Sequence, residues 1–300
     1  MIKRTLYFGN PARISMRLGQ LVVATADKDL PVERTIPIED IGVVILDNKQ
    51  ITVTSGLIEE LLEFNVAVIT CDSKHMPSGM MLSLVGHTAQ SERIRTQLDA
   101  SLPLKKALWQ QTIQAKISNQ AAVLKYVTGQ DAKNMLRWAR EVKSGDPENL
   151  EARAAAHYWK SVFLDNPEFV REQDGVAPNS LLNYGYAILR AIIARALTGS
   201  GMLPLIGIHH HNKYDDYCLA DDIMEPYRPY VDKLVLDIIE QYGPTEELTK
   251  EVKVMLLSLP TVDVEINGHT SPLMIAATTT TASLYKCFEG SCRKIIYPSM

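Results

Sequence analysis

The sequence predicts an α+β protein in which a small β-rich domain at residues 1–87 precedes a larger, all-helical domain at residues 88–300. Two changes of pattern carry this prediction. Up to about Thr88, short runs rich in β-branched residues alternate between apolar and polar side chains, which is typical of strands. Beyond Thr88, apolar residues recur at the spacing of amphipathic helices. A chain of 300 residues with 46% hydrophobic content can bury a sizeable core.

Seven strands and one helix are predicted in the first domain. The strands are expected at residues 5–8, 14–18, 21–24, 35–38, 42–46, 66–70 and 80–84. Residues 56–64 break the alternation, because Leu57, Ile58, Leu61 and Leu62 follow helical spacing. This domain should therefore be a small sheet structure with one helix.

Seven helices are predicted in the second domain, at residues 104–126, 131–142, 147–164, 180–197, 227–242, 246–257 and 272–288. Residues 261–268 interrupt them. There Val262, Val264 and Ile266 alternate with polar residues just before Asn267-Gly268. An Asn-Gly pair after an alternating run is a strong hairpin signal, so a short hairpin is expected at this point.

The charge distribution is uneven. A formal net charge of -4 argues against a nucleic-acid binder, because phosphate contacts come from Lys and Arg. Residues 88–143, however, contain ten basic and four acidic residues, a local charge of +6. Within them Lys133, Arg137 and Arg140 share one helical face beside Trp138, as nucleic-acid-binding residues often do. A solvated helix face explains the same spacing.

We expect a cytoplasmic protein. The first residues carry charge at Lys3 and Arg4, where a signal peptide would be apolar. The longest apolar region, residues 181–208, is interrupted by Arg190 and Arg195, so no membrane helix is predicted. Four cysteines without a C-x-x-C motif in so long a chain indicate reduced, mostly structural thiols.

Glu151 is the first candidate for chemistry. Asp146 and Pro147 predict a helix start, with Asp as N-cap and Pro at the first helical position. Glu151 then shares a face with Tyr158 and Val162, so that one carboxylate lies on a mostly apolar stripe. An isolated buried carboxylate is costly, and Glu151 therefore needs a metal, a proton or a cation as its partner. An ion pair with Lys or Arg would meet the same need.

Histidines and acidic residues cluster in a second region. The segment at residues 207–212 contains His209, His210 and His211, and the segment at residues 219–229 contains Asp221, Asp222 and Glu225. Three consecutive residues cannot all face one point, so one histidine is expected to bind a ligand. An exposed polar loop is the alternative.

The acidic residues of this region differ in their expected roles. One helical turn would place Asp222 and Glu225 on the same side. Pro226 complicates this, because a proline biases the preceding residue away from the helical conformation. For Asp221, helix N-capping is the expected role.

One imidazole with two or three carboxylates is a harder ligand set than structural zinc prefers, and it suits Mg²⁺ or Mn²⁺. Such an ion polarises a phosphoryl oxygen and stabilises charge on attacking and leaving oxygens. The residues alone therefore predict a metal-dependent enzyme that acts on a phosphate substrate.

Five segments, in their order and spacing, resemble the CRISPR-associated integrase family, the adaptation nucleases that insert new spacers. They are Q-A-K-I-S-N-Q at residues 114–120, E-A-R-A-A-A-H-Y-W at 151–159, N-S-L-L-N-Y-G-Y-A-I-L at 179–189, G-I-H-H at 207–210 and D-D-I-M-E-P-Y-R-P at 221–229. The resemblance extends over nearly the whole chain. The M-E-P-Y-R-P form is most similar to members that accompany single-protein RNA-guided DNA effector nucleases.

The resemblance implies a catalytic metal site made of Glu151, His210 and Glu225, which hold Mg²⁺ or Mn²⁺. Asp222 matches a second acidic position and is implied as a supporting ligand or hydrogen-bond acceptor. His209 is the alternative to His210, but it occupies the variable position of G-x-x-H. Many relatives have Gly where this chain has Ala152, a small-for-small change that puts no catalytic residue in doubt.

Further roles follow from the same resemblance. Two are open for Arg228: a contact to phosphate, or an ion pair with Asp222 or Asp232. The β-rich domain is implied to dimerise and the helical domain to be catalytic. Double-stranded DNA, as protospacer and CRISPR repeat, is the implied substrate. A small companion subunit is implied to bridge two dimers, and an effector nuclease is a further partner that the resemblance allows.

The implied activity is that of a metal-dependent DNA endonuclease and integrase in antiviral defence, which joins the 3′-hydroxyl ends of short duplexes to the repeat by transesterification. Two other functions are open on the residues alone. A DNA-binding scaffold would use its acidic cluster to cap helices and would leave catalysis to a partner. A metal-dependent phosphohydrolase of small nucleotides fits the acidic net charge but lacks a paired His-Asp ligand motif.

Overall fold

The computed structural model of the protein describes residues 3–25, 33–163, 166, 169–173, 175–213 and 215–300. They divide into two compact units, Met1–Gln90 and Ser91–Met300. Strands dominate the first unit and helices the second, which confirms the predicted α+β fold class. In the described ranges, no helix is both long enough and apolar enough to cross a membrane.

Among its described residues, the first unit contains two four-stranded sheets and one α-helix. Its strands are β1 (Arg4–Phe8), β2 (Ala12–Arg17), β3 (Gln20–Thr25), β4 (Glu33–Pro37), β5 (Ile41–Leu46), β6 (Thr52–Val53), β7 (Ala67–Cys71) and β8 (Pro77–Met81), and its helix is α1 (Ser55–Glu63). One sheet has the order β1-β5-β7-β8, with β1, β5 and β7 parallel and β8 antiparallel to β7. The other has the order β4-β3-β2-β6, with only the β2–β6 pair parallel.

Burial explains the pattern of these strands. In β5, which is paired with β1 and β7, the first five residues are all buried, so side chains on both faces of the strand are covered. A parallel strand covered on both faces has a continuous apolar run, and I-G-V-V-I-L is such a run. Leu57 and Leu61 of α1 belong to the same buried cluster as Ile14 and Ile41.

Two strands of this unit differ from the prediction. The strand expected at residues 80–84 lies at Pro77–Met81, because Met81 pairs with Val68 of β7. Leu84 lies beyond the strand and is 90% exposed. The two-residue strand β6 was not predicted, since two residues are too few to show alternation.

The helices from Gln90 onward surround two long central ones. They are α2 (Gln90–Leu98), α3 (Leu102–Thr128), α4 (Lys133–Glu141), α5 (Leu150–Val162), α6 (Asn179–Gly199), α7 (Cys218–Met224), α8 (Arg228–Tyr242), α9 (Lys250–Leu256) and α10 (Leu273–Glu289). Helices α3 and α6 have 27 and 21 residues and bury many of their side chains. Helix α2 was not predicted, because Ile94 and Leu98 are its only apolar residues.

The predicted hairpin is confirmed. Strands β9 (Asp263–Ile266) and β10 (His269–Pro272) pair antiparallel between α9 and α10. The turn residues Asn267 and Gly268 have φ values of 52° and 77°. Two positive φ values are what the type I′ hairpin turn requires, so the Asn-Gly pair determines the turn here.

Helix α5 begins at Leu150, three residues later than predicted, and its N-cap is Asn149 instead of Asp146. Asp146 still caps the start of the helix. Its carboxylate accepts hydrogen bonds from the backbone N–H groups of Leu150 and Glu151, each at 2.9 Å. Positive φ values at Asp146 and Asn149 form the turn that makes this possible. The predicted end of the helix at Leu164 lies outside the described residues. Glu151 is consequently held in the first turn of α5.

Candidate metal centre

Three helical elements meet at Lys116 of α3. Its Nζ lies 2.6 Å from Oε1 of Glu151, at the start of α5. The same nitrogen lies 2.6 Å from Oε2 of Glu225, in a 3₁₀ turn between α7 and α8. The lysine side chain is only 11% exposed. Two of the predicted ligands therefore lie on either side of one buried nitrogen atom.

The two oxygens of Glu225 have different surroundings. Oε1 lies 2.9 Å from Nε of Arg228, whereas Oε2 faces Lys116. Each oxygen of Glu225 therefore has a cation as its partner, and the side chain is only 6% exposed. Burial acts to raise the pKa of Glu225, but Arg228 and Lys116 outweigh it and hold the pKa below its ordinary value. Glu225 is therefore an ionised carboxylate held between two cations.

Arg228 has its ion pair with Glu225, three residues earlier, and not with Asp222 or Asp232. Its guanidinium also lies 4.7 Å from the ring centre of Tyr186. The spacing explains why Arg228 pairs with Glu225, because residues three apart in a helical segment face the same side.

His210 is oriented by Asp222. Its Nδ1 lies 2.6 Å from Oδ1 of Asp222, a fully buried residue of α7. This hydrogen bond raises the pKa of His210 against the effect of burial, and the charges of Glu225 and Glu151 act in the same direction as Asp222. The ring is 42% exposed, and its other nitrogen, Nε2, is left for a further partner. Metal-binding histidines typically use their second nitrogen in this way.

Asp222 also shapes the loop that carries His210. Its carboxylate accepts hydrogen bonds from the backbone N–H groups of Ile208 at 2.7 Å, His209 at 2.9 Å and His210 at 3.2 Å. One buried carboxylate thus fixes both the backbone of the loop and the ring of His210. The sequence-based role of hydrogen-bond acceptor fits this geometry.

His209 has a different environment. Its ring stacks on Trp109 with centroids 4.1 Å apart and planes 2° from parallel. Burial lowers the pKa of His209. His211, the third of the run, is exposed. Trp109 also meets the ring of His210 edge-on at 5.6 Å, so it is the hydrogen bond from the ring to Asp222 that makes His210 the better candidate ligand.

The residues fit a hard divalent ion. In the part of the chain that the structure describes, no three His, Cys, Asp or Glu side chains already form one ligand cluster, and Lys116 lies between Glu151 and Glu225. The carboxylate oxygens of Glu151 and Glu225 and the oriented ring of His210 are nevertheless the kinds of donor that Mg²⁺ or Mn²⁺ would need. The three-ligand centre stays a prediction.

Asp221 is not the N-cap of α7, contrary to the prediction. Helix α7 begins at Cys218 with Tyr217 as its N-cap, so that Asp221 lies inside the helix. Its two oxygens pair with Nε and Nη2 of Arg190, at 2.7 and 3.0 Å. A bidentate pair of this kind holds α7 against α6. The partners are 31 residues apart, and no local spacing rule connects them.

The predicted basic stripe lies on the exposed side of α4. Lys133, Arg137 and Arg140 are all exposed, and Arg137 lies 3.8 Å from Glu141. Trp138 instead contacts the ring of His157 edge-on, with centroids 5.7 Å apart. Exposure leaves the three basic side chains available to solvent, and their contact with DNA stays a prediction.

Sequence reasoning assigned no role to Lys116 or Asn119, although both lie in the segment at residues 114–120. Asn119 donates hydrogen bonds from Nδ2 to the carbonyl oxygens of Pro226 at 2.8 Å and Pro298 at 3.1 Å. It also accepts one from the backbone N–H of Met300 at 3.2 Å. Asn119 therefore anchors the residue next to Glu225. The available signal was a lysine and an amide on the buried face of an apolar helix, where polar groups need partners.

Asp232 joins three helices. It is 1% exposed, and its carboxylate accepts hydrogen bonds from the hydroxyls of Tyr158 in α5, at 2.8 Å, and of Tyr186 in α6. Burial raises the pKa of Asp232 to about 6, although the two tyrosines and Arg228 act to lower it. The folded chain therefore binds this proton more tightly than the unfolded chain does.

Wild-type stability relative to the Asp232→Asn variant is expected to fall between about pH 5 and about pH 7.5. A folded pKa above the unfolded value gives stabilisation that is complete below the unfolded value of 3.8 and is lost as pH rises through about 6. The whole shift corresponds to about 3 kcal/mol, of which about half is already lost at pH 5, so the expected fall between the two pH values is about 1.4 kcal/mol. Urea unfolding of both proteins at the two pH values measures it. If the unfolding free energies of the wild type and Asp232→Asn differed by the same amount at the two pH values, the prediction would be contradicted.

Gly207 is tightly enclosed by the same loop. A Cβ at this position would overlap the carbonyl oxygen of His210 and would lie 2.8 Å from Oδ2 of Asp222. Gly207→Ala is therefore expected to lower the free energy of unfolding by about 1–3 kcal/mol, the usual cost of overpacking. Gly56→Ala in α1 is the control, because nothing lies within 4 Å of its added Cβ. Equal unfolding midpoints for the two variants would show that the loop has room.

Residues 6–258 match the family model described as CRISPR associated protein Cas1. The relative named CRISPR-associated endonuclease Cas1 from Neisseria meningitidis serogroup C (strain 8013) is 39% identical over 259 residues, which covers 86% of this chain and 83% of the relative. The relative named CRISPR-associated endonuclease Cas1 1 from Francisella tularensis subsp. novicida (strain U112) is 27% identical over 271 residues, with coverage of 82% and 81%.

Two solved structures have similar folds. A casposase bound to an integration product has a TM-score of 0.79 at 20% identity, and the match covers 98% of this chain and 92% of that one. A Cas6-RT-Cas1–Cas2 complex has a TM-score of 0.75 at 21% identity, and the match covers 98% of this chain and 36% of that one. At such identities the similarity shows the fold alone.

Proposed function

The chain belongs to the Cas1 family of CRISPR-associated proteins, and we propose that it is an endonuclease and integrase of CRISPR adaptation. Its reaction is the metal-dependent joining of the 3′-hydroxyl ends of short duplex DNA to a CRISPR repeat. The observation that supports this most is the meeting of Glu151 and Glu225 at one buried nitrogen, beside a histidine that Asp222 orients. The name of the Neisseria relative and the integration product of the casposase support the same class of reaction.

Glu151, His210 and Glu225 are the residues that would hold Mg²⁺ or Mn²⁺. A bound ion of this kind polarises a phosphoryl oxygen and stabilises the charge that develops on the attacking and leaving oxygens. Asp222 keeps Nε2 of His210 directed away from its own carboxylate. Arg228 pairs with Oε1 of Glu225, and Lys116 pairs with Oε2. The chain's own residues thus supply a preorganised set of donors.

The joining step is a transesterification. The 3′-hydroxyl oxygen forms a new bond to phosphorus while one existing phosphoester bond of the repeat breaks and leaves a free hydroxyl. One ester replaces another, so the step needs no external energy source. A second hydroxyl repeats the step on the opposite strand. Positioning and electrostatic stabilisation are therefore the contributions that the protein must make.

DNA and a small companion subunit are the proposed partners. The casposase is bound to an integration product, and Cas2 accompanies Cas1 in the second solved complex. For this chain, the exposed Lys133, Arg137 and Arg140 are proposed as contacts to the DNA backbone, because exposed cations bind phosphate without sequence preference. Dimerisation through the β-rich unit and contact with an effector nuclease belong to the same proposal.

A strand-joining assay tests the proposed function. With the companion subunit present, the protein is expected to join a labelled duplex to repeat DNA in Mn²⁺ or Mg²⁺ and to form no product in excess EDTA. A duplex with 3′-deoxy ends is the matched control, since it lacks the attacking hydroxyl. A scaffold that leaves catalysis to its partner would keep the activity of its complex in Glu151→Ala and His210→Ala, and a small-nucleotide phosphohydrolase would cleave mononucleotides instead. Either result would overturn the proposal.

A further inference from the structure

Lys116 and Arg228 together balance the two carboxylates of the candidate centre. Lys116 contacts both Glu151 and Glu225, and Arg228 contacts the second oxygen of Glu225. The side chains of Lys116 and Glu225 are 11% and 6% exposed. Buried charges are tolerated only when they are paired, so these cations stabilise the cluster in the metal-free protein.

Lys116 occupies the position at which the two carboxylates would share a divalent ion. Its nitrogen lies 2.6 Å from one oxygen of Glu151 and 2.6 Å from one of Glu225. Mg²⁺ binds oxygen ligands at about 2.0–2.1 Å and would need the same lone pairs. An ammonium group and a divalent cation repel each other, and they cannot both lie between these two oxygens.

The lysine is the movable part of this cluster. Asp146 holds the backbone of Glu151, and Asn119 holds the carbonyl of Pro226, next to Glu225. The carboxylates are thus attached to anchored backbone, whereas the ammonium group of Lys116 is carried by a flexible four-carbon stem. A rotamer change of Lys116 would open the position between the oxygens without moving either helix.

We propose that Lys116 is a positioning residue, which holds Glu151 and Glu225 together in the metal-free protein and is displaced when a divalent ion binds between them. The inference rests on the proposed function, because it takes these two carboxylates as metal ligands. It has two consequences. Lys116 stabilises the metal-free fold, and it weakens the apparent affinity for the metal, since each binding event must break two ion pairs.

Lys116→Met tests both consequences, because it removes the charge and keeps an unbranched apolar stem. Without metal, the variant is expected to melt at a lower temperature than the wild type, since two carboxylates lose a cation. With metal, calorimetric titration should give an Mn²⁺ affinity about tenfold higher than that of the wild type. The rise in melting temperature on adding Mn²⁺ should be correspondingly larger in the variant. Neither readout depends on DNA joining.

Two further variants serve as controls. Lys116→Arg keeps a cation at this position and should therefore bind Mn²⁺ more weakly than Lys116→Met does. Lys125→Met removes a lysine of the same helix whose ion pair with Asp131 is exposed, so both readouts should stay unchanged. Equal or weaker Mn²⁺ binding by Lys116→Met overturns the inference, while the proposed function survives if Glu151→Gln loses the ion. A wild type that binds no Mn²⁺ overturns both.

A measurement on the wild type keeps the inference testable if Lys116→Met does not fold. A displaced ammonium group has lost its ion pairs, so its reaction with acetic anhydride should become faster. Labelling of Lys116, quantified by mass spectrometry of the digested protein, is expected to rise severalfold when Mn²⁺ is added. The exposed Lys125 should label equally in both conditions. Unchanged or reduced labelling of Lys116 overturns the inference.

Discussion

Glu151→Gln and His210→Ala are each expected to reduce the rate of strand joining by about a thousandfold or more, while the fold and DNA binding persist. Gln keeps the shape of Glu151 but lacks the charge that a divalent ion requires. Ala removes the only ring nitrogen that Asp222 directs outward. The measurement is the rate of product formation in Mn²⁺, beside DNA affinity in EDTA from a gel shift.

The retained DNA binding is what makes this prediction specific. Glu151 and His210 are 25% and 42% exposed, so their loss removes less buried structure than loss of Glu225 would. Glu148→Gln is the matched control. It removes an exposed carboxylate in the turn before α5 and breaks only a surface pair with Lys143, which contributes little to stability. If Glu151→Gln or His210→Ala joined DNA at the wild-type rate, the proposed metal centre would have no part in the mechanism.

Periodicity alone predicted most of the fold, and its failures have physical causes. The long helices α3, α6 and α10 each bury an apolar stripe, so their spacing was visible in the sequence. Helix α2 was missed because only Ile94 and Leu98 in it are apolar. The start of α5 was displaced by the positive φ values at Asp146 and Asn149, which form a local turn where the Asp-Pro pair had predicted a helix start.

The candidate site was predictable only in part, because its partners are far apart in the chain. Local patterns singled out Glu151, the histidine run and the pair Asp222 and Glu225, and the family resemblance selected His210 and grouped it with Glu151 and Glu225. Lys116 could not be found in this way, since it is 35 residues from Glu151 in sequence and meets it only through the packing of α3 on α5. The cation that local reasoning required for a buried Glu151 is thus present. That cation is Lys116, in the segment at residues 114–120 that resembles the integrase family.

Asp222→Asn is expected to lower the free energy of unfolding by about 2–4 kcal/mol and to weaken Mn²⁺ binding by about ten- to a hundredfold. Oδ2 of Asp222 accepts hydrogen bonds from the backbone of Ile208 and His209, and Oδ1 accepts from the backbone and ring of His210. An asparagine has one acceptor oxygen. Its NH₂ group must therefore face buried donors whichever way the amide is turned.

The two effects of Asp222→Asn have separate causes, and they can be measured separately. Unsatisfied backbone donors lower stability, which urea unfolding reports. Loss of the carboxylate also frees the ring of His210 to rotate, which calorimetric titration with Mn²⁺ reports. Asp216→Asn is the control, because Asp216 is an exposed residue just before α7. If Asp222→Asn lost stability and kept the wild-type Mn²⁺ affinity, His210 would not be a ligand. Glu151 and Glu225 would then have to hold the ion without an imidazole.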